Sequence, residues 1–191
     1  MEFQTTPISG LLIIKPQVFT DSRGYFKETY SRDKFRGTPA DVDYVQDNES
    51  LSVKRVLRGL HFQDGEFAQA KLVRVIEGSV YDVAVDLRAG SQTYGKWFGI
   101  ELSGLNGLMM FIPRGFAHGF AVLSETARFA YKVDNAYSPA AERTIRYDDP
   151  RLNISWPEFD SGYLMSKRDT ESAISLDEYE NERNNIILNR K

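Results

Sequence analysis

The chain holds two histidines, and both lie in apolar, strand-like runs. His61 sits in RGLHFQ, 58–63, between Leu60 and Phe62, with Arg58 three positions upstream. An imidazole titrates near neutral pH, so a ring at such a place suits proton transfer. Alternation along a strand puts His61 and Gln63 on one face and Leu60 and Phe62 on the other. With the apolar pair against a core, the polar pair can line a cavity. His118 sits in PRGFAHGF, 113–120, another short apolar run. There is no cysteine, which excludes disulfides, thiolate nucleophiles and thiolate metal sites. A histidine taken alone in an apolar strand is more often structural than catalytic.

Strands must position these rings. KLVRVIEGSVYDVAVDLR, 71–88, alternates most clearly: Tyr81, Val83, Val85 and Leu87 share one face, Asp82 and Asp86 the other. Glu77 and Gly78 read as a hairpin turn between two strands. SQTYGKWFGIELS, 91–103, adds a turn and a strand, and GLMMFIPRGFAHGFAVLS, 107–124, adds two strands broken at Pro113 and Gly115. ARFAYKV, 127–133, is one more. Short strands at this spacing predict a mainly β, jelly-roll barrel with a few short peripheral helices. The helical candidates are SRDKFRG, 31–37, with Ser31 as cap, and SLDEYENERNN, 175–185, which reads as a solvated helix or loose tail. One domain over 1–191 is expected, with its core at about 3–170 and a C-terminal extension at 171–191.

Composition narrows the function. A net charge of −3 argues against a phosphate-gripping nucleic-acid protein. The N-terminus MEFQTTPISG has neither the basic nor the apolar region of a signal peptide, and no run approaches a membrane span. No nucleic acid or membrane partner is expected, and a cytoplasmic location is. The 12 Phe and 10 Tyr suit both a β-rich core and a site that stacks on planar ligands.

PRGFAH resembles the second half-motif of the cupins, Pro-x-Gly-x-x-His. The first half in metal-binding cupins is His-x-His, then Glu, six residues and Gly. Here those positions read His61, Gln63, Lys71 and Gly78. A lysine where an anionic ligand is expected argues against a divalent metal and for acid–base chemistry.

The flanking runs tighten the likeness. FTDSRGYFKETY, QDNES, VLRGLHFQ, AQAKLVRVIEGSVYDVAVDLR, IPRGFAHGFAVLS, FAYKVDNAYSP, IRYDDP, ISWP and MSKRD occur in that order. Together they closely resemble the dTDP-4-dehydrorhamnose 3,5-epimerase family over residues of about 3 to 170. The resemblance implies a cupin-type jelly roll, no metal or other cofactor, and a homodimer that exchanges N-terminal strands. It implies inversion at C3 and C5 of dTDP-4-dehydro-6-deoxy-D-glucose to give dTDP-4-dehydro-L-rhamnose, through protons α to the C4 ketone. His61 would be the base, oriented by Asp169; Tyr131 would be the opposite-face acid, its pKa lowered by nearby cations; and Lys71 would stabilise the C4 oxyanion. Arg23 and Arg58 would hold the diphosphate, and Glu28, Gln46, Asn48, Glu142 and Arg168 the nucleotide. Phe26 and Tyr137 would stack on thymine, and His118 would hydrogen-bond the sugar. The family often has Lys at the place of Arg168, and often prolines where this chain reads DGEFAQAK, 64–71.

Plainer roles stay open for each. His118 can serve positioning alone, Tyr131, Phe26 and Tyr137 can be core aromatics, Asp169 a turn residue, and Arg23 and Arg58 surface charges. Other functions also stay open. One is a mono-epimerase for C3 or C5 only, acting on another dTDP-4-keto-6-deoxy sugar. The others are a metal-dependent cupin enzyme and a silent sugar-nucleotide binding module.

Overall fold

Strands are the main regular element in the computed structural model, which describes residues 1–188. They are β1 Glu2–Thr5, β2 Leu12–Lys15, β3 Val18–Asp21, β4 Gly24–Lys27, β5 Gln46–Val53, β6 Leu57–Gln63, β7 Lys71–Glu77, β8 Ser79–Asp86, β9 Trp97–Ser103, β10 Met109–Ile112, β11 Phe116–Val122, β12 Thr126–Val133 and β13 Glu142–Thr144. Three helices accompany them: α1 Arg32–Phe35, α2 Lys167–Glu171 and α3 Leu176–Leu188. Two antiparallel sheets run in the orders β1-β2-β10-β7-β12-β5 and β13-β6-β11-β8-β9, and β3-β4 form a separate hairpin.

The alternation explains the layers. Ile13, Val73, Val75, Met110 and Phe129 from the first sheet meet Val80, Ala84, Leu102, Phe116 and Phe120 from the second in one buried cluster between them. Each of these except Ala84 contributes about 1.5–3 kcal/mol on burial. The other faces are covered too. Leu12, Ile14, Leu72 and Phe111 pack under Phe35 of α1. Leu60, Phe62, Val83, Val85 and Leu87 pack under Leu176 and Tyr179 of α3, with Tyr81 against the same cluster. His61 and Gln63 alternate with Leu60 and Phe62, so they face inward.

Three sequence expectations change. Gly78 is not a hairpin turn, because β7 pairs with β10 and β12 while β8 pairs with β11 and β9. The chain turns a corner there from one sheet to the other, so the apolar faces of β7 and β8 confront each other across the core. Gly78 has φ +79°, and a Cβ there would lie 2.0 Å from the Thr126 carbonyl oxygen. Ser31 precedes a single helical turn, but its side chain makes no capping bond. The C-terminal segment is no loose tail. Leu176 and Tyr179 are buried, the Leu176 N–H donates to Asp149 Oδ2 at 2.8 Å, and Arg151 grips Asp177 and Glu180. Leu176 and Tyr179, three apart, lie on one face of the helix and dock it.

Candidate active site

One end of the space between the sheets opens into a cavity of about 420 Å³. His61 of β6 and Tyr131 of β12 enter it from different sheets. Lys71, at the start of β7, and His118 of β11 also line it, with Arg58, Gln63, Tyr137, Glu142 and Arg168 around them. Asn48 of β5 completes the rim.

Behind His61 lies Asp169, 108 residues along the chain. The carboxylate is only 4% exposed, and its Oδ1 is hydrogen-bonded to His61 Nε2. A carboxylate accepts, so Nε2 carries the proton and Nδ1 is the free lone pair of the neutral ring. Helix α2 brings Asp169 to this point: Ser166 caps it, accepting the Asp169 N–H at 3.2 Å. The incoming segment is tied to β6 at its start, where the Leu57 N–H donates to the Leu164 carbonyl at 3.0 Å.

Burial, the strongest influence, pushes the His61 pKa below its ordinary value; Arg168 and Lys71 push the same way, and Asp169 opposes them. The ring is therefore largely neutral near pH 7. Burial alone would raise the Asp169 pKa, but its bonds to His61 and Ser166 and the charge of Arg168 outweigh it and hold the carboxyl below the usual range. Lys71 is buried, and its Nζ donates to the His61 carbonyl at 3.2 Å. Burial lowers its pKa to about 8, against the pull of Asp82 and Glu142.

Tyr131 corrects an expectation. Arg58 and Arg168 do draw its pKa down, but burial is the larger effect, and the pKa lies above the ordinary phenol value. The hydroxyl therefore keeps its proton at neutral pH.

His118 faces His61 across the β6–β11 ladder. Its Nε2 lies 3.0 Å from both oxygens of Asp82, which is fully buried on β8, and its ring stacks on Phe129. At the mouth, Arg168 pairs with Glu142 at 2.7 Å and the Tyr137 hydroxyl donates to the same carboxylate at 3.1 Å. Arg58 Nε donates to Ser52 Oγ at 3.1 Å. Gln63 Oε1 accepts the Ser138 N–H at 2.8 Å. Among the described residues no three His, Asp or Glu side chains converge as a metal site needs.

Four of the expected substrate-binding residues lie outside this cavity. Arg23 and Phe26 sit on the β3–β4 hairpin, beside a separate surface hollow. Arg23 is exposed and paired with Asp21, and Phe26 is 69% exposed. Glu28 pairs with Lys34 at 2.9 Å. Gln46 touches the rim only through its amide, which donates to Asn48 Oδ1 at 2.7 Å. The hairpin bonds to neither main sheet, so within one chain nothing carries it to the cavity.

Two residues escaped the sequence reading. Asp82 read only as the polar side of a strand, although a carboxylate inside the apolar run of β8 needs a buried partner. Ser166 opens Ser-x-x-Asp, the pattern of a helix cap, which would have drawn attention to it.

Comparisons with known proteins place the chain in a family. The family model for dTDP-4-dehydrorhamnose 3,5-epimerase matches residues 5–177. The chain is 49% identical over 176 residues to the dTDP-4-dehydrorhamnose 3,5-epimerase of Escherichia coli (strain K12), covering 91% of this chain and 93% of that protein. It superposes with TM-score 0.87 and 48% identity on the crystal structure of dTDP-4-dehydrorhamnose 3,5-epimerase from Elizabethkingia anophelis NUHP1, covering 93% of this chain and 97% of that one. The dTDP-6-deoxy-D-glucose-3,5-epimerase of Legionella pneumophila Philadelphia 1, in complex with dTDP-4-keto-L-rhamnose, gives TM-score 0.88 and 45% identity over 92% of this chain and 93% of that one. A cupin-like jelly roll, a histidine–carboxylate pair and a phenol on the facing sheet thus come with a match along nearly the whole chain, which belongs to the dTDP-4-dehydrorhamnose 3,5-epimerase family and is an epimerase.

Proposed function

We propose that this chain, acting as a single domain, inverts both C3 and C5 of dTDP-4-dehydro-6-deoxy-D-glucose and yields dTDP-4-dehydro-L-rhamnose. The observation that carries the reading is the entry of His61 and Tyr131 into one cavity from different sheets. Inversion needs a base on one side of the carbon and an acid on the other.

Both carbons are α to the C4 ketone, so proton loss from either gives an enolate. His61 Nδ1 takes the proton while Nε2–H stays bonded to Asp169, whose charge stabilises the imidazolium formed. The buried Lys71 ammonium places positive charge where the C4 oxygen becomes negative. Tyr131, held in the protonated state by burial, then delivers its proton from the other side. Arg58 and Arg168 ease the resulting phenolate. They also supply the cations a diphosphate calls for, and Tyr137 at the mouth offers a ring to the thymine. His118, held by Asp82, reaches the sugar from the neighbouring strand.

The hairpin fits the same reading if two copies assemble. Val18, Phe19, Tyr25 and Phe26 are all exposed on it, a cost that a second copy would remove. Arg23, Phe26 and Glu28 then serve the partner's cavity. Sedimentation at micromolar concentration should show a dimer; a monomer that is fully active would end this part.

The function itself is tested in D₂O with dTDP-4-dehydro-6-deoxy-D-glucose, following the sugar protons by NMR. Deuterium at both C3 and C5 of an inverted product is expected. Label at one carbon only would make the protein a mono-epimerase, and binding without exchange would make it a silent module.

A further inference from the structure

We propose that Ser166 is a positioning residue for the proton-transfer pair, a third member behind His61 and Asp169. Ser166 Oγ lies 2.7 Å from Asp169 Oδ2, the carboxylate oxygen that His61 does not use. The same Oγ accepts the Asp169 N–H at 3.2 Å. A hydroxyl has one proton and two lone pairs. With one lone pair taken by the N–H, its proton goes to Oδ2.

The two oxygens of Asp169 are therefore held from opposite sides, Oδ1 by His61 and Oδ2 by Ser166. The carboxylate cannot swing without breaking both bonds, and at its depth no solvent stands ready to replace them. Ser166 belongs to a segment already latched to β6, the strand of His61. The Leu164 N–H donates to the Arg55 carbonyl at 2.9 Å, and the Leu57 N–H donates to Leu164. The hydroxyl thus converts the position of a helix end into the orientation of the imidazole.

The charged groups facing His61 are Asp169 and Arg168 on α2 and Lys71 on β7, with Glu142 on β13 and Asp82 on β8 acting on Lys71. None of these changes when Ser166 is replaced. Without the hydroxyl, Asp169 concentrates more negative charge toward His61. The imidazolium is then favoured, and the acid limb of the rate profile moves to higher pH.

Ser166 is also a helix cap, and the test must separate the two roles. Glycine caps nearly as well as serine but has no hydroxyl, alanine lacks both features, and threonine keeps both. Ser166→Gly is expected to lose about tenfold in kcat, the worth of one charge-assisted hydrogen bond, with KM within about twofold. Its acid limb should move up, its melting temperature should stay near the wild type, and Ser166→Thr should recover most of the rate. A wild-type kcat and pH profile in Ser166→Gly overturns the proposal. So does a loss shared by Gly, Ala and Thr in step with their melting temperatures. The inference rests on His61 as the base, so His61→Ala is run beside them. Exchange retained in His61→Ala defeats the base assignment; exchange abolished there, with a wild-type Ser166→Gly, defeats Ser166 alone.

Discussion

His61 and His118 stand opposite each other across the β6–β11 ladder, and each gives Nε2 to a different buried carboxylate, Asp169 for one and Asp82 for the other. One carboxylate comes from a late helix and the other from the adjacent strand β8. The two rings are each held through Nε2, and both line the cavity between the sheets.

Asp82 also acts beyond His118. Burial lowers the Lys71 pKa to about 8, and the Asp82 charge keeps it from falling further. Asp82→Asn removes that support, so Lys71 should lose its proton at lower pH. If protonated Lys71 stabilises the enolate, activity falls as pH rises through its pKa. The alkaline limb of kcat/KM should then move below about 8 in the variant. A pH series with matched melting curves checks this. A limb left in place would remove Lys71 from that role.

Tyr131→Phe separates proton removal from inversion. His61 still takes the proton and can return a deuteron to the same side. Formation of inverted product should fall by at least about 100-fold, the usual range for loss of a general acid. Deuterium should still enter recovered substrate with unchanged configuration. Product formed at the wild-type rate would assign the acid to another group.

The C-terminal helix should matter for stability. Tyr179 is buried and meets Phe62 edge-to-face at 5.1 Å, directly beside His61 in sequence. Tyr179→Ala should cost about 3 kcal/mol in urea unfolding, as for other large aromatics removed from a core. Tyr179→Phe loses only a 3.3 Å bond to Asp64 and should cost about 1 kcal/mol or less. Equal stability of the alanine variant and the wild type would return this segment to the status of a tail.

Much of this was legible in the chain. The runs that became β7 and β8 announce themselves by alternation, β9 to β12 read as short strands between turn residues, and Leu60 and Phe62 pack outward as their period requires. Gly78 misled because a glycine turn looks the same whether it joins partners or crosses between sheets. What decides is which distant strands pair, and no local residue encodes that. Asp169 illustrates the same limit, since only its likeness to a known family linked it to His61 across 108 residues. The raised pKa of Tyr131 was hidden because burial is a property of the assembled cavity, whereas Arg58 and Arg168 can be read as charges. Tyr179 was masked by the acidic residues around it, which advertise solvent while two side chains hold the core.

The central claim is that His61 is the base that removes the α-protons. Its most direct test is solvent deuterium exchange with His61→Ala, folded as judged by its melting curve, beside the wild type. The wild type should place deuterium at C3 and C5, and His61→Ala at neither. Full exchange at both carbons in the variant would contradict the account.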